Sequence, residues 1–158
     1  MRALPAALLA LAWSAPLAAA QQLDARFSCS DKQEVAGEQL TFADHGRIRL
    51  SGDRIEAFRW ESALYRSTHG FDCNIDEEDG LKAELTGQAA WRIELRDPLE
   101  ARMRRGYDFA RHMVCTVRLE REGDTVHIRP TCPALCGSRN NFSELSVNTK
   151  TGECQYQH

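Results

Sequence analysis

The chain has 158 residues, with 20 lysines and arginines against 23 aspartates and glutamates, and its formal net charge is −3 at neutral pH. Neither sign of charge dominates, which argues against a protein that binds nucleic acid or an anionic membrane through a basic surface. The six cysteines are an even number. In an exported chain, an even count indicates oxidising surroundings and up to three disulfides.

Residues 1–20 have the composition of a secretory signal peptide. Arg2 precedes an apolar stretch rich in leucine and alanine, and this stretch ends in three alanines before Gln21. It is too short and wrongly flanked for a membrane anchor, and no cysteine stands directly after the expected cleavage point to carry a lipid, the first being Cys29. We therefore expect a periplasmic or secreted protein without a membrane anchor, in which residues 21–158 form a single β-rich domain.

The first part of this domain predicts short strands. Residues 21–30 and the alternation at 40–42 each favour a brief strand, and a turn at 51–53 predicts a hairpin. The apolar alternation changes phase after Ala57, which indicates a β-bulge.

Residues 67–80 are expected to form a loop that ends in an acidic run. Asp72, Asn74 and Asp76 resemble the start of a calcium-binding loop, but the glycine and glutamate required at its sixth and twelfth positions are missing. A solvated turn is the better interpretation. We predict no metal and no other cofactor.

Residues 81–96 return to strand character and lead into one short helix, expected at 98–105. Asp97 is a good N-cap residue and Pro98 suits the first helical position. Gly106 is a suitable stop because glycine readily adopts the left-handed conformation found there.

The stretch from Cys115 to Cys132 predicts a disulfide-closed hairpin. With Gly123-Asp124 as a type II′ turn, paired residue numbers sum to 247, and Cys115 then faces Cys132 in a non-hydrogen-bonded pair about 4.5 Å apart at the α-carbons. Pro130 also falls in a non-hydrogen-bonded pair, where its missing N–H does not disturb the ladder. We therefore predict a Cys115–Cys132 disulfide.

The same register places Arg118 directly opposite Arg129 on the outer face. Like charges so placed repel by a few tenths to about 1 kcal/mol. Either Glu120 or an acid on an adjoining strand neutralises them, or the pair belongs to a binding site for an anionic group. Four further arginines could extend such a site: Arg102, Arg104, Arg105 and Arg111.

Residues 142–157 predict a last hairpin around 150–152. The preferred remaining disulfides are Cys136–Cys154 and Cys29–Cys73, although the sequence leaves three ways of pairing these four cysteines.

The loop between Cys136 and Phe142 is rich in glycine and asparagine. A loop fixed in this way is a frequent binding element and equally often a plain turn. Its candidate binding residues are Ser138, Arg139 and Asn140. The glycosylation pattern at Asn141 is not expected to be used, because the leader resembles a bacterial one.

The leader, the small disulfide-stapled β-domain and the spacing Cys…Cys-Gly-x-Arg-x-x-Phe together resemble small exported bacterial β proteins of unknown function. Over about residues 113–156 the chain also distantly resembles the periplasmic lysozyme inhibitors. That resemblance implies a small β-barrel that presents loops to an enzyme's cleft. The Ser-Gly-x-Arg-Tyr type of loop found in those inhibitors is replaced here by Gly-Ser-Arg-Asn at 137–140, so no residue role is carried over.

We thus expect a mainly β fold, a small antiparallel barrel or sandwich of about eight strands with one short helix. The expected function is a non-catalytic binding module for another envelope or extracellular protein, with inhibition of a cell-wall-active enzyme as a specific form. The alternatives are a structural or envelope-accessory role and a small hydrolase. A hydrolase is not favoured because the sequence lacks Gly-x-Ser-x-Gly and no free cysteine is expected. The oligomeric state is left open.

Overall fold

The computed structural model describes residues 21–107, 114–132, 135–136 and 141–157. The predicted signal peptide, the loop residues Ser138, Arg139 and Asn140, and Arg111 lie outside these ranges. Within them, ten strands form two antiparallel sheets around one shared core, and one short α-helix accompanies them. The mainly β prediction is confirmed, and the architecture is a sandwich rather than a closed barrel.

The first sheet has four strands in sequential order. They are β1 (Gln22–Val35), β2 (Glu38–Ser51), β3 (Arg54–Tyr65) and β4 (Gly70–Asp76). The predicted turn before β3 is confirmed as the two residues Gly52-Asp53. The predicted bulge is also present, because the β2–β3 register shifts between Arg49 and Leu50.

The loop predicted for residues 67–80 is wrong, because β4 lies within it. Phe71, Cys73 and Ile75 alternate with Asp72 and Asn74, and this period of two places Cys73 and Ile75 in the core. The acidic side chains that resembled a calcium loop instead alternate along an extended strand. A single 3-10 turn follows at Glu77–Asp79.

The second sheet has six strands in the order β10-β9-β8-β7-β6-β5. They are β5 (Leu81–Gly87), β6 (Ala90–Leu95), β7 (Thr116–Glu122), β8 (Thr125–Pro130), β9 (Leu145–Asn148) and β10 (Cys154–Tyr156). The last two strands confirm the predicted C-terminal hairpin.

The predicted helix is present as α1 (Pro98–Arg104), between β6 and β7. The Asp97 side chain accepts a hydrogen bond from the Glu100 backbone N–H at 2.9 Å, as an N-cap does. Gly106 has a φ of 83°, and the helix therefore stops where the left-handed conformation is needed.

The register predicted for the β7–β8 hairpin is confirmed. Arg118 pairs with Arg129, and the Cys115–Cys132 disulfide joins α-carbons 4.2 Å apart. Gly123 has a φ of 60°, whereas Asp124 stays outside the left-handed region, as a type II′ turn requires.

The two remaining disulfides differ from the preferred pairing. Cys29 on β1 binds Cys154 on β10, and Cys73 on β4 binds Cys136. The prediction of Cys29–Cys73 and Cys136–Cys154 is therefore wrong. Its physical reason is that the sandwich brings β1 beside β10, which are at opposite ends of the chain.

Aromatic packing fills the space between the sheets. Trp60 makes edge-on contacts with Phe27, at 5.9 Å between ring centroids, and with Phe142, at 5.2 Å. Gly46 is required below Phe27, since a Cβ there would lie 2.2 Å from that ring. Among the described residues, no helix has the length and apolar character needed to cross a membrane.

Candidate functional site

A concavity lies on the outer face of the four-stranded sheet. It measures about 490 Å³, and we call it the Ala43–Ala63 groove. Strand alternation directs alternate residues of β2, β3 and β4 to this face while their neighbours enter the core. The outward side chains that line it are Ala43, His45, Arg59, Glu61, Ala63, Tyr65, Asp72 and Asn74.

The groove exists because two small residues are adjacent across the sheet. Ala43 on β2 pairs with Ala63 on β3, and Ala63 pairs with Asp72 on β4. The next rows along the strands carry larger side chains, with Glu61 on one side and Tyr65 on the other. The two methyl groups therefore form the floor of the groove and the longer side chains form its walls.

The charged side chains of the groove leave it with a net negative charge. Arg59 Nε donates a hydrogen bond to Glu61 Oε1 at 2.8 Å, so these two charges offset each other. Within the part of the chain that the structure describes, the exposed Asp72 carboxylate has no hydrogen bond or ion pair. The groove thus carries one unneutralised negative charge.

Tyr65 gives the groove an aromatic wall. Its relative exposure is 49%, so about half of the side chain is open to solvent. The ring lies over Gly70, where an added Cβ would be 3.0 Å from it. Gly70 therefore makes room for the ring at the end of the groove.

A row of Ser28, His45 and Glu61 crosses three strands beside the groove, and Ser28 Oγ lies 2.9 Å from His45 Nδ1. These are the residue types of a hydrolase triad, but Glu61 is bound to Arg59. The row was missed from the sequence because only the register of two long hairpins brings it together.

The six-stranded sheet has a second row of glutamate, histidine and serine on its own outer face. Glu120, His127 and Ser146 lie in one row, and Ser146 Oγ is 2.9 Å from His127 Nδ1. Since the same trio occurs on both exposed faces, we interpret it as a feature of polar sheet surfaces rather than a catalytic centre.

One arginine of the predicted pair is neutralised. Arg129 donates to Glu120 at 2.8 Å and to Glu144 on the β9 side at 2.9 Å. The hydrogen bonds that Arg129 donates to Glu144 and Glu120 raise the pKa of Arg129 above its usual value. Arg118 lies between Arg129 and Arg92 and makes no ion pair with any described residue.

The other described arginines do not extend that pair. Arg104 and Arg105 bind the buried Asp79 carboxylate at 3.1 and 2.7 Å, next to the end of β4. Arg102 is buried on α1. A larger anion site formed from these arginines and Arg118 is therefore not present.

The end of the predicted binding loop is anchored beneath the groove. The Asn141 side chain donates to the Ser62 backbone oxygen at 2.9 Å and to the Phe71 backbone oxygen at 3.3 Å. The Phe142 N–H donates to Ser62 Oγ at 2.9 Å. Because Asn141 is buried, its glycosylation pattern is not accessible in the folded protein.

Comparisons with protein-family models, with curated proteins and with solved structures gave no match for this chain. What the protein does must therefore be inferred from its groove and charges.

Proposed function

We propose that this chain is a periplasmic or secreted binding module, without catalytic activity, that recognises another envelope or extracellular protein through the Ala43–Ala63 groove. The single observation that supports this most is the open groove of about 490 Å³ with Tyr65 and Arg59 on its walls. Tyrosine and arginine are the residue types that most often dominate protein–protein binding energy.

The rigidity of the surroundings supports the same proposal. The groove residues lie on regular strands, and the Cys73–Cys136 disulfide fixes β4 from the opposite side. A preformed site loses little conformational entropy when it binds, and more of the contact energy is then available for affinity. Inhibition of a cell-wall-active enzyme is a specific form of this function that would benefit from such a rigid surface.

The proposed compartment is supported by the cysteines. All six are in disulfides and none is free. Disulfides persist in the periplasm and outside the cell, whereas the cytosol keeps thiols reduced.

Two matched variants test the proposed function. Ala63→Gln fills the floor of the groove, whereas Ala57→Gln makes the same change on the outer face of the same strand but outside it. Immobilised wild-type protein and Ala57→Gln are expected to retain the same protein from envelope or extracellular fractions of the source organism, and Ala63→Gln is expected to lose it.

The same three proteins are to be assayed as inhibitors of lysozymes and other wall hydrolases. Retention of identical proteins by all three, or retention by none together with no inhibition, would count against the proposed function.

A further inference from the structure

We infer that the Ala43–Ala63 groove receives a lysine or arginine side chain of the partner protein. This rests on the proposed function and names the chemistry that the groove recognises. Three features of the groove carry it: an unneutralised carboxylate, a small apolar floor and an exposed aromatic wall.

The carboxylate supplies charge complementarity. Asp72 lies directly opposite Ala63, so its acidic group stands beside the floor and not at a distant rim. Arg59 and Glu61 offset each other, and the net charge of the site comes from Asp72. A cation that enters the groove gains an ion pair with Asp72, whose carboxylate has no such partner among the described residues of the free protein.

The floor and wall suit the remainder of a basic side chain. Lysine and arginine carry an apolar stem below a charged end, and they bury the stem while the end remains solvated or paired. The Ala43 and Ala63 methyl groups offer an apolar surface for the stem. The half-exposed Tyr65 ring can also attract the cation through its π face.

Other side chains fit less well. An acidic side chain would be repelled by the Asp72 carboxylate, which carries the net charge of the groove. A purely apolar side chain would cover Asp72 without offering it a hydrogen bond, and covering an unpaired charge is unfavourable. The groove therefore selects a cation on an apolar stem.

The test uses small probes on the whole mature protein. N-acetyl-lysine methylamide and N-acetyl-arginine methylamide are titrated while NMR follows the methyl signals of Ala43 and Ala63. The norleucine and glutamate analogues serve as neutral and acidic comparisons. Asp72→Asn removes the charge, and Asp53→Asn makes the same change at the exposed turn between β2 and β3.

We expect the two cationic probes to shift both methyl signals at millimolar concentration and the norleucine probe to bind at least fivefold more weakly. Asp72→Asn should lower affinity for the cations at least threefold, while Asp53→Asn should leave it unchanged. Equal binding of norleucine and lysine probes, or unchanged cation binding in Asp72→Asn, would overturn the inference. If Ala63→Gln loses the partner protein but Asp72→Asn retains it at full affinity, the inference fails while the proposed function stands.

Discussion

Trp60 donates a hydrogen bond from its indole Nε1 to the Asp44 carboxylate at 2.7 Å, in the interior between the two sheets. The Tyr156 hydroxyl donates to the second carboxylate oxygen at 2.8 Å. Asp44 thus connects β2, β3 and β10 through one buried acid. Burial raises its pKa, although hydrogen bonds from Tyr156, Trp60 and Ser62 act in the opposite direction.

Asp44→Asn should change how stability depends on pH. Because the pKa of Asp44 is raised above 3.8, the native state holds this proton more tightly than the unfolded state. The corresponding stabilisation is complete below the unfolded-state pKa and is lost as pH rises through the folded-state pKa. Asparagine cannot ionise, so the free energy of unfolding of wild type should fall relative to that of Asp44→Asn as pH rises from about 4.

Urea unfolding across pH 4–8 measures this difference, with Glu34→Gln as an exposed control that should follow wild type. Parallel curves for wild type and Asp44→Asn would contradict the assignment of the raised pKa. Asp44→Ala is a separate comparison: it should destabilise by about 1–3 kcal/mol because it leaves buried donors without an acceptor.

Ala36→Asn should stabilise the protein. Ala36 and Gly37 form the turn between β1 and β2, with φ values of 52° and 80°. Two left-handed residues define a type I′ turn, for which Asn-Gly is strongly preferred, whereas the alanine Cβ is strained there. We expect a gain of about 1 kcal/mol in the free energy of unfolding, measured by urea denaturation. A loss of stability would show that the turn has another geometry.

Removing the disulfide with the longest sequence separation should lower the free energy of unfolding more than removing the one with the shortest. Cys29–Cys154 spans 125 residues and Cys115–Cys132 spans 17. Loop-closure entropy gives about 4 kcal/mol for Cys29–Cys154, because the retained Cys73–Cys136 bond shortens the loop that it closes, and about 3 kcal/mol for Cys115–Cys132. Paired serine variants are to be compared by chemical unfolding, and a non-reducing peptide map should recover the three observed pairs. A smaller effect for the Cys29–Cys154 variant would refute this order.

Arg118→Glu should stabilise the six-stranded sheet by a few tenths to about 1 kcal/mol, because Arg118 lies between Arg92 and Arg129 on adjacent strands. Lys82→Glu makes the same charge change opposite Glu94 and should have the opposite sign. Both effects should shrink in high salt, since exposed charges are screened. Destabilisation by Arg118→Glu at low salt would contradict this prediction and would show that Arg118 makes a stabilising interaction.

Local features of this fold were predictable from the sequence, while contacts between the sheets were not. The β7–β8 register followed from one turn and one alternation, and the α1 ends followed from Asp97 and Gly106. The Cys29–Cys154 bond depends on which strand edges meet in the sandwich, and no local pattern contains that information. The β4 strand was not predicted from the sequence because acidic residues alternate with its few core residues.

The Ala43–Ala63 groove could not be predicted from the sequence for a related reason. Ala43, Ala63 and Asp72 lie on three strands and become adjacent only through two registers. A small residue has no periodic signal of its own, and its outward position is evident only when the neighbouring side chains are in place.

The most direct measurement of the central claim is site-specific photo-crosslinking. p-Benzoylphenylalanine replaces Tyr65 in the groove or Lys150 at the turn of the other sheet, and each protein is irradiated with envelope and extracellular fractions. We predict a protein adduct from position 65 only, which excess wild-type protein abolishes and excess Ala63→Gln does not. No adduct at position 65, or adducts from both positions that the two competitors reduce equally, would contradict a binding function of this groove.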